Sequence, residues 1–238
     1  MDFPNSKRTH DKFYLNEDRR NEPKEYFKFI AENINLNLNH LKVIDIGCAT
    51  GDFLYYLNSL FPKATLYGAD IDEELLLRAK NNVPEIKKCF QLDISEIENK
   101  IGKFDAIFML GVHSIFDDLN WLDSIKKMLK DKDSRAYIFG IFNPDEIDVI
   151  IRGRKSNSNE HWETGWNVFS KASVGSFMER HDLKYRFIDF NLNIDIEKNI
   201  NDPLRTWTLD AGLEKKIVIN GLCLVHHFSL LEVSFFED

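Results

Sequence analysis

The sequence predicts an α/β protein built on one doubly wound sheet, and three observations carry that expectation. The first is an apolar run, Leu41–Ile46, cut short by small residues and followed by Phe53, Leu54, Leu57, Leu60 and Phe61 at helical spacing, which reads as strand, tight turn and helix. The second is the alternation of short apolar runs with amphipathic segments through the next hundred residues. The third is the pair of late strands with an extra segment between them. With 238 residues, 43% of them apolar and 13% aromatic, the chain has enough material for a sizeable core, and length alone allows one large domain or two small ones.

Taken in order, residues 1–22 are polar, with Phe13, Tyr14 and Leu15 as one apolar anchor. Pro23 is expected to open a helix reaching about Ile34, with Tyr26, Phe27, Phe29 and Ile30 on its buried face. An Asn-rich linker precedes the first strand, and the helix after it is stopped before Pro62. The second strand is expected over Ala64–Ala69, the second helix over Glu73–Asn81 with Asp72 as its cap, and a short third strand over Lys88–Leu92. Phe104–Gly111 is nearly all apolar, as a strand covered on both faces should be. A helix over Trp121–Leu129 and a fifth strand over Arg135–Ile141 follow. Asn143-Pro144 reads as the cap and first position of a helix to about Ile151. After a polar loop from Arg152 to Asn167, Ser170 caps a helix to His181, Tyr185–Asn191 is the sixth strand, and Leu222–Val233 closes the chain as a long final strand. The domain expectation is an N-terminal flap and helix over 1–40 and a main domain over 41–238, with lid insertions near 152–168 and 192–220.

Composition excludes several classes of function. A net charge of −8 argues against sequence-independent binding to nucleic acid, which needs basic surface. No signal-peptide core or membrane-length apolar stretch is present in the sequence. Cys48, Cys89 and Cys223 are far apart and lack C-x-x-C spacing, which reads as reduced thiols in a cytoplasmic protein. No metal-ligand spacing stands out, so no metal is expected; His226-His227, adjacent in a strand pattern, should point to opposite faces. Oligomeric state is not readable.

The stretch Asp45-Ile46-Gly47-Cys48-Ala49-Thr50-Gly51 resembles the first motif of class I S-adenosylmethionine (SAM) dependent methyltransferases, an acid followed by G-x-G-x-G, with Ala49 in place of the middle glycine. The competing dinucleotide fingerprint, G-x-G-x-x-G/A, would put Asp52 at the helix N-terminus that receives a pyrophosphate, where a carboxylate repels it. SAM carries no phosphate and is cationic at its ammonium and sulfonium. The resemblance implies seven strands, the last antiparallel to the rest, and SAM as cofactor. It implies roles for residues as well: Asp45, Gly47, Cys48, Ala49 and Gly51 form the first motif; Asp70, with Ile71 beside it, accepts the ribose hydroxyls; Asp93 takes the adenine amino group, with Ile94 donating a backbone N–H. Leu110 ends the fourth strand at the same site. His113, in Leu110-Gly-Val-His113-Ser-Ile-Phe-Asp117-Asp118, holds the place where many small-molecule methyltransferases have a histidine. It is expected either as a general base for a hydroxyl nucleophile or as a residue that only orients the loop, with Asp117 or Asp118 holding its ring or capping the next helix.

Arg20-Asn21-Glu22-Pro23 looks like the R-x-x-P of family members acting on small acids, where the arginine meets the methionine carboxylate or the substrate. For the acceptor, Tyr14 on the flap, Trp162 in the 152–168 insertion, and Arg205 and Trp207 in the 192–220 insertion are the candidates, with Arg152, Arg154, Lys155, His161 and Trp166 around them. Aromatic faces with arginine suit a ring-bearing or anionic molecule. The expected function is methyl transfer from SAM to a small polar molecule, a hydroxyl of a sugar derivative or an organic acid. The alternatives are an N-methyltransferase of a small amine, an NAD(P)-dependent oxidoreductase and a non-catalytic SAM-binding protein.

Overall fold

The computed structural model describes residues 6–7, 14–15, 18–96, 101–154, 162–212 and 216–236; Phe13, Lys155 and His161 lie outside them. Its body is one sheet whose strands are β1 (Lys42–Ile46), β2 (Thr65–Asp70), β3 (Lys88–Gln91), β4 (Ala106–Leu110), β5 (Arg135–Asn143), β6 (Leu183–Phe190) and β7 (Phe228–Phe235). Their spatial order is β6-β7-β5-β4-β1-β2-β3, with a two-residue strand, Phe169–Ser170, added beside the end of β5. β7 runs antiparallel to both β5 and β6, and the remaining pairs are parallel, as the sequence led one to expect. The chain winds outward from β1 through β2 to β3, then returns to lay β4 on the other flank of β1. That reversal opens a crevice at the carboxyl ends of β1 and β4.

Helices α1 (Glu25–Glu32), α2 (Asp52–Leu60) and α3 (Glu73–Asn82) cover one face; α4 (Trp121–Met128) and α5 (Lys171–Arg180) cover the other. The period-2 alternation of the strands sorts side chains between the two layers. Ala106 and Phe108 of β4 join Phe27, Phe53 and Leu54 in one core, while Ile107 and Met109 join Trp121 and Ile125 in the other. Each fully buried Leu or Phe contributes about 1.5–3 kcal/mol by transfer out of water. Phe27 and Ile30 of α1 share a core with Val43 and Leu57, so α1 is part of the main body.

Two helix starts follow local sequence. Asp72 accepts from Glu74 N (2.8 Å) and Leu75 N (3.2 Å), and Ser170 Oγ accepts from Ser173 N (3.0 Å). Elsewhere the long-range contacts win. Residues 144–151 are not helical: Asn143 extends β5, its side chain bonds Asp145 N and Ile147 O, and Val149 bridges Val168. Asp148 meanwhile accepts from Ser170 N and Ser173 Oγ at the start of α5. The last strand begins at Phe228, not Leu222, because Cys223 takes a left-handed φ of 61° and Val225 bridges Ile219. Within the late insertion, read from sequence as irregular with possible short strands, Trp207–Asp210 and Lys216–Ile219 pair as an antiparallel ribbon. The other insertion contributes Arg152–Gly153 and Glu163–Thr164, and the N-terminal Ser6–Lys7 pairs alongside the latter.

Candidate active site

The loop from β1 to α2 is shaped by three left-handed residues, Gly47 (φ 73°), Ala49 (φ 45°) and Gly51 (φ 83°). Glycine adopts this region freely, and alanine does so at a modest cost. At Gly47 no side chain could fit, since a Cβ would lie 2.3 Å from Val112 Cγ2 in the loop after β4. The backbone N–H groups of Gly47 and Cys48 both reach Ala69 O (2.7 and 3.0 Å), tying the loop to the end of β2. Asn82 of α3 adds a bond to Thr50 O at 2.9 Å.

Asp70 is fixed by that loop. Its Oδ2 accepts from Ala49 N (2.9 Å) and its Oδ1 from Asp72 N (3.1 Å). Burial raises its pKa, opposed by these backbone bonds. Asp45 is 3% exposed and its Oδ1 has no hydrogen-bond partner. Burial, and then the charge of Asp70, push its pKa well above the usual carboxylate range. Asp52 is buried at the first turn of α2, and the charge of Arg20 reaches it; Arg20 itself is bonded to Asp18. Asp93 Oδ1 accepts from Ser95 N and Ser95 Oγ (2.9 and 2.6 Å), which closes the turn that buries Ile94. Ile71 leaves an exposed apolar surface next to Asp70, and Leu110 is half-buried at the end of β4. Among the described residues this loop set is acidic and includes an orphaned buried carboxylate oxygen. It fits a cation-bearing ligand with hydroxyl donors and disfavours a pyrophosphate.

His113 is enclosed by the fold. The ring has no solvent exposure, Nε2 lies 3.1 Å from Ile141 O, and the ring stacks on Phe142 at 4.6 Å and 7°. It fills the space that a side chain at residue 140 would take: a Cβ on Gly140 would come within 2.0 Å of His113 Cε1. Burial, partly offset by the bond to the Ile141 carbonyl, lowers its pKa to about 4. Of the two roles expected for His113, the enclosed ring bonded to the Ile141 carbonyl matches the one in which it orients the loop, fastening the β4 loop to β5. Neither acid holds that ring. Asp118 accepts from Asn120 N (2.9 Å) in the turn before α4. Asp117 bonds Arg152 (2.5 Å), Thr164 (2.9 Å) and Asn167 (3.0 Å); burial alone would raise its pKa, but these partners together lower it.

Arg152 thus anchors the 152–168 insertion. Asn167, which the sequence reading passed over, is the hub of that anchor. It is fully buried, donates to Phe116 O (2.7 Å), and accepts from Ile151 N (2.7 Å). Arg154 lies over the Trp162 ring at 4.9 Å, and Lys198 over the Trp207 ring at 4.6 Å. The flap and the late insertion do meet: the Arg205 guanidinium sits 5.4 Å from the centre of the Tyr14 ring, while its Nε bonds Asp202 at 3.0 Å. Trp166 stacks on His226 at 5.3 Å. His226 is buried and His227 exposed, as their adjacency predicts. A surface recess of about 530 Å³ beside α4 and α5 is lined by residues such as Asn120, Phe177 and Arg180 and touches none of the cofactor candidates.

Comparison with known proteins agrees with this fold. Residues 44–132 match the model of a family described as a methyltransferase domain. An uncharacterized protein of Rickettsia prowazekii is 29% identical over 192 residues, spanning 77% of this chain and 69% of that protein. Malonyl-[acyl-carrier protein] O-methyltransferase of Legionella pneumophila is 22% identical over 169 residues, 66% of this chain; the chain spans only 53% of that relative's length. Among solved structures, an S-adenosylmethionine-dependent methyltransferase of Clostridium acetobutylicum superposes with a TM-score of 0.57 at 14% identity, covering 95% of this chain and 96% of that one. No helix among the described residues is long and apolar enough to cross a membrane.

Proposed function

We propose that this chain is a class I SAM-dependent methyltransferase that passes the methyl group to an oxygen of a small acid-bearing molecule, and specifically to a carboxylate. The observation that carries this reading is the enclosure of His113. A hydroxyl acceptor must lose a proton during attack and needs a base within reach. A carboxylate arrives already ionised and needs only to be held in line. A neutral amine also needs no base to attack, and the Arg205 guanidinium beside Tyr14 favours the anion of the two.

When bound, SAM supplies an electrophilic methyl on a positively charged sulfur. The chain's own residues then have positioning roles. Asp70, held rigid between two backbone N–H groups, accepts the ribose hydroxyls. Asp93 and the Ile94 backbone take the adenine edge, with Ile71 against its face. Asp45, Gly47, Cys48, Ala49 and Gly51 surround the methionine end, and Arg20 stands by its carboxylate. Fixing nucleophile, methyl and sulfur in line turns a two-body reaction into an effectively one-body one. On the acceptor side, Arg205 with Tyr14 offers a guanidinium and an aromatic face, suited to a carboxylate on a ring or short chain; Trp162 and Trp207 belong to the surrounding lid. The Legionella relative, by its name, also methylates oxygen. The widely separated free cysteines support a cytoplasmic setting, and the charge of −8 a small-molecule acceptor in preference to nucleic acid.

The test is a screen of carboxylic acids, sugar phosphates, nucleotide sugars and amines with methyl-labelled SAM. Label is expected in the carboxylic acid pool as a base-labile ester. Label confined to amines or to neutral hydrophobic molecules would overturn the reading.

A further inference from the structure

The two lid insertions and the last strand meet at one imidazole. Phe228, the first residue of β7, pairs with Ile141, and Ile141 lies two residues beyond Phe139, the partner of Leu110 at the very end of β4. Residues just before β7 are therefore at the carboxyl edge of the sheet, the level of the cofactor loops. His226 sits there, with its backbone N bonded to Val218 O of the late insertion (2.8 Å). Its ring stacks on Trp166 of the other insertion (5.3 Å, 22°) and meets the edge of Phe228 (5.9 Å, 83°). Phe228 stacks on Phe139 (5.6 Å, 2°), and Phe139 on Tyr26 of α1 (4.9 Å, 5°), so an aromatic wall runs from α1 to the lid with His226 as its polar member. Trp166 holds its place from a left-handed backbone, φ 63°, which bulky residues rarely adopt.

One nitrogen of that ring is unexplained by the fold. His226 Nδ1 is buried with no hydrogen-bond partner, and an unpaired buried polar atom in a native site calls for a reason. His113 Nδ1 is likewise buried without a partner, but its Nε2 is bonded within the fold and none of its ring is exposed, whereas His226 keeps 6% of its surface open.

We propose that His226 is the polar contact for the methyl acceptor, its neutral imidazole donating one N–H to the carboxylate oxygen that does not attack, with Trp166 and Phe228 walling the acceptor's sides. This rests on the carboxylate reading above. In the step it serves, the attacking oxygen forms a bond to the methyl carbon as the carbon–sulfur bond breaks and its electron pair returns to sulfur. No proton is transferred, and the imidazole keeps its hydrogen throughout. Burial, and then the charge of His227, lower the ring's pKa to about 4, so at neutral pH it carries the single N–H that this role uses.

Calorimetric binding of benzoate, a planar ring with one carboxylate, is measured in the presence of S-adenosylhomocysteine, which prevents turnover. His226→Phe keeps the ring and its stack but removes the donor; His226→Asn keeps a donor. His226→Phe is expected to weaken benzoate about ten- to a hundredfold, the range for one hydrogen bond to a charged group, with affinity for S-adenosylhomocysteine and Tm unchanged. His226→Asn should recover to within about threefold of wild type. Unaltered benzoate binding by His226→Phe, or a parallel loss of S-adenosylhomocysteine affinity, would refute the assignment while leaving the carboxylate reading intact. A wild-type protein that binds no benzoate and methylates only amines or hydroxyls would refute both.

Discussion

The proposed cofactor side and the proposed acceptor side are assembled in different ways. On the cofactor side each functional group is fixed within one strand–loop–helix unit or by the adjacent strand: Ala49 N holds Asp70 across 21 positions, and Asp72, two positions away, holds its other oxygen. On the acceptor side the contacts join segments remote in sequence, as where Tyr14 meets Arg205 or Trp166 meets His226. A binding unit made by local geometry is fixed as soon as the sheet forms. One made by lids depends on long loops being anchored, which is the work of Asp117, Arg152 and Asn167. On the function proposed above, cofactor affinity belongs to the first region and acceptor choice to the second.

The two buried histidines sharpen that division, and the largest effect is expected at His113. His113→Ala removes a ring stacked on Phe142 and its bond to the Ile141 carbonyl, which should cost about 2–4 kcal/mol of stability by urea unfolding. Affinity of the folded protein for S-adenosylhomocysteine should change little. Unchanged stability with a kcat reduced by two or more orders of magnitude would return His113 to the role of base.

A smaller effect is expected from pH. In the protein without cofactor, Asp45 has a raised pKa from burial and from the charge of Asp70. A carboxyl shifted in this direction contributes stability below the ordinary carboxylate range and loses it as pH rises through the raised pKa. The cationic cofactor favours the ionised form, so SAM affinity should increase with pH over that same window, by up to about tenfold per unit for one released proton. Titrations in buffers of different ionisation heat count that proton. A flat affinity across the window, or an unchanged slope in Asp45→Asn, would remove Asp45 from the linkage.

Which parts of this were legible in sequence follows the same line. Asp72 and Ser170 were readable as caps because a cap is decided within three residues. The order of Asp45, Asp70 and Asp93 after successive strands was readable because the sheet's winding places them. His113 was found by spacing, but its enclosure depends on Gly140 across the sheet, a neighbour that no local pattern announces. Residues 144–151 looked helical from Asn143-Pro144, yet the bridge from Val149 to Val168 and the capping role of Asp148 outweigh local propensity. The lid hub at Asn167 and the ribbon Trp207–Asp210 with Lys216–Ile219 rest on pairings that only the folded chain brings together.

The claim that cofactor affinity resides in the local unit and acceptor choice in the lids is tested most directly by one calorimetric comparison, S-adenosylhomocysteine titrated into wild type, Asp70→Ala and Arg205→Ala. Asp70→Ala removes the acceptor for two hydroxyl bonds and frees the Ala49 and Asp72 N–H groups, so affinity should fall about a hundredfold. Arg205→Ala should stay within about twofold of wild type, since its contacts are to Tyr14 and Asp202. Equal losses in the two variants, or a greater loss at Arg205, would contradict the account.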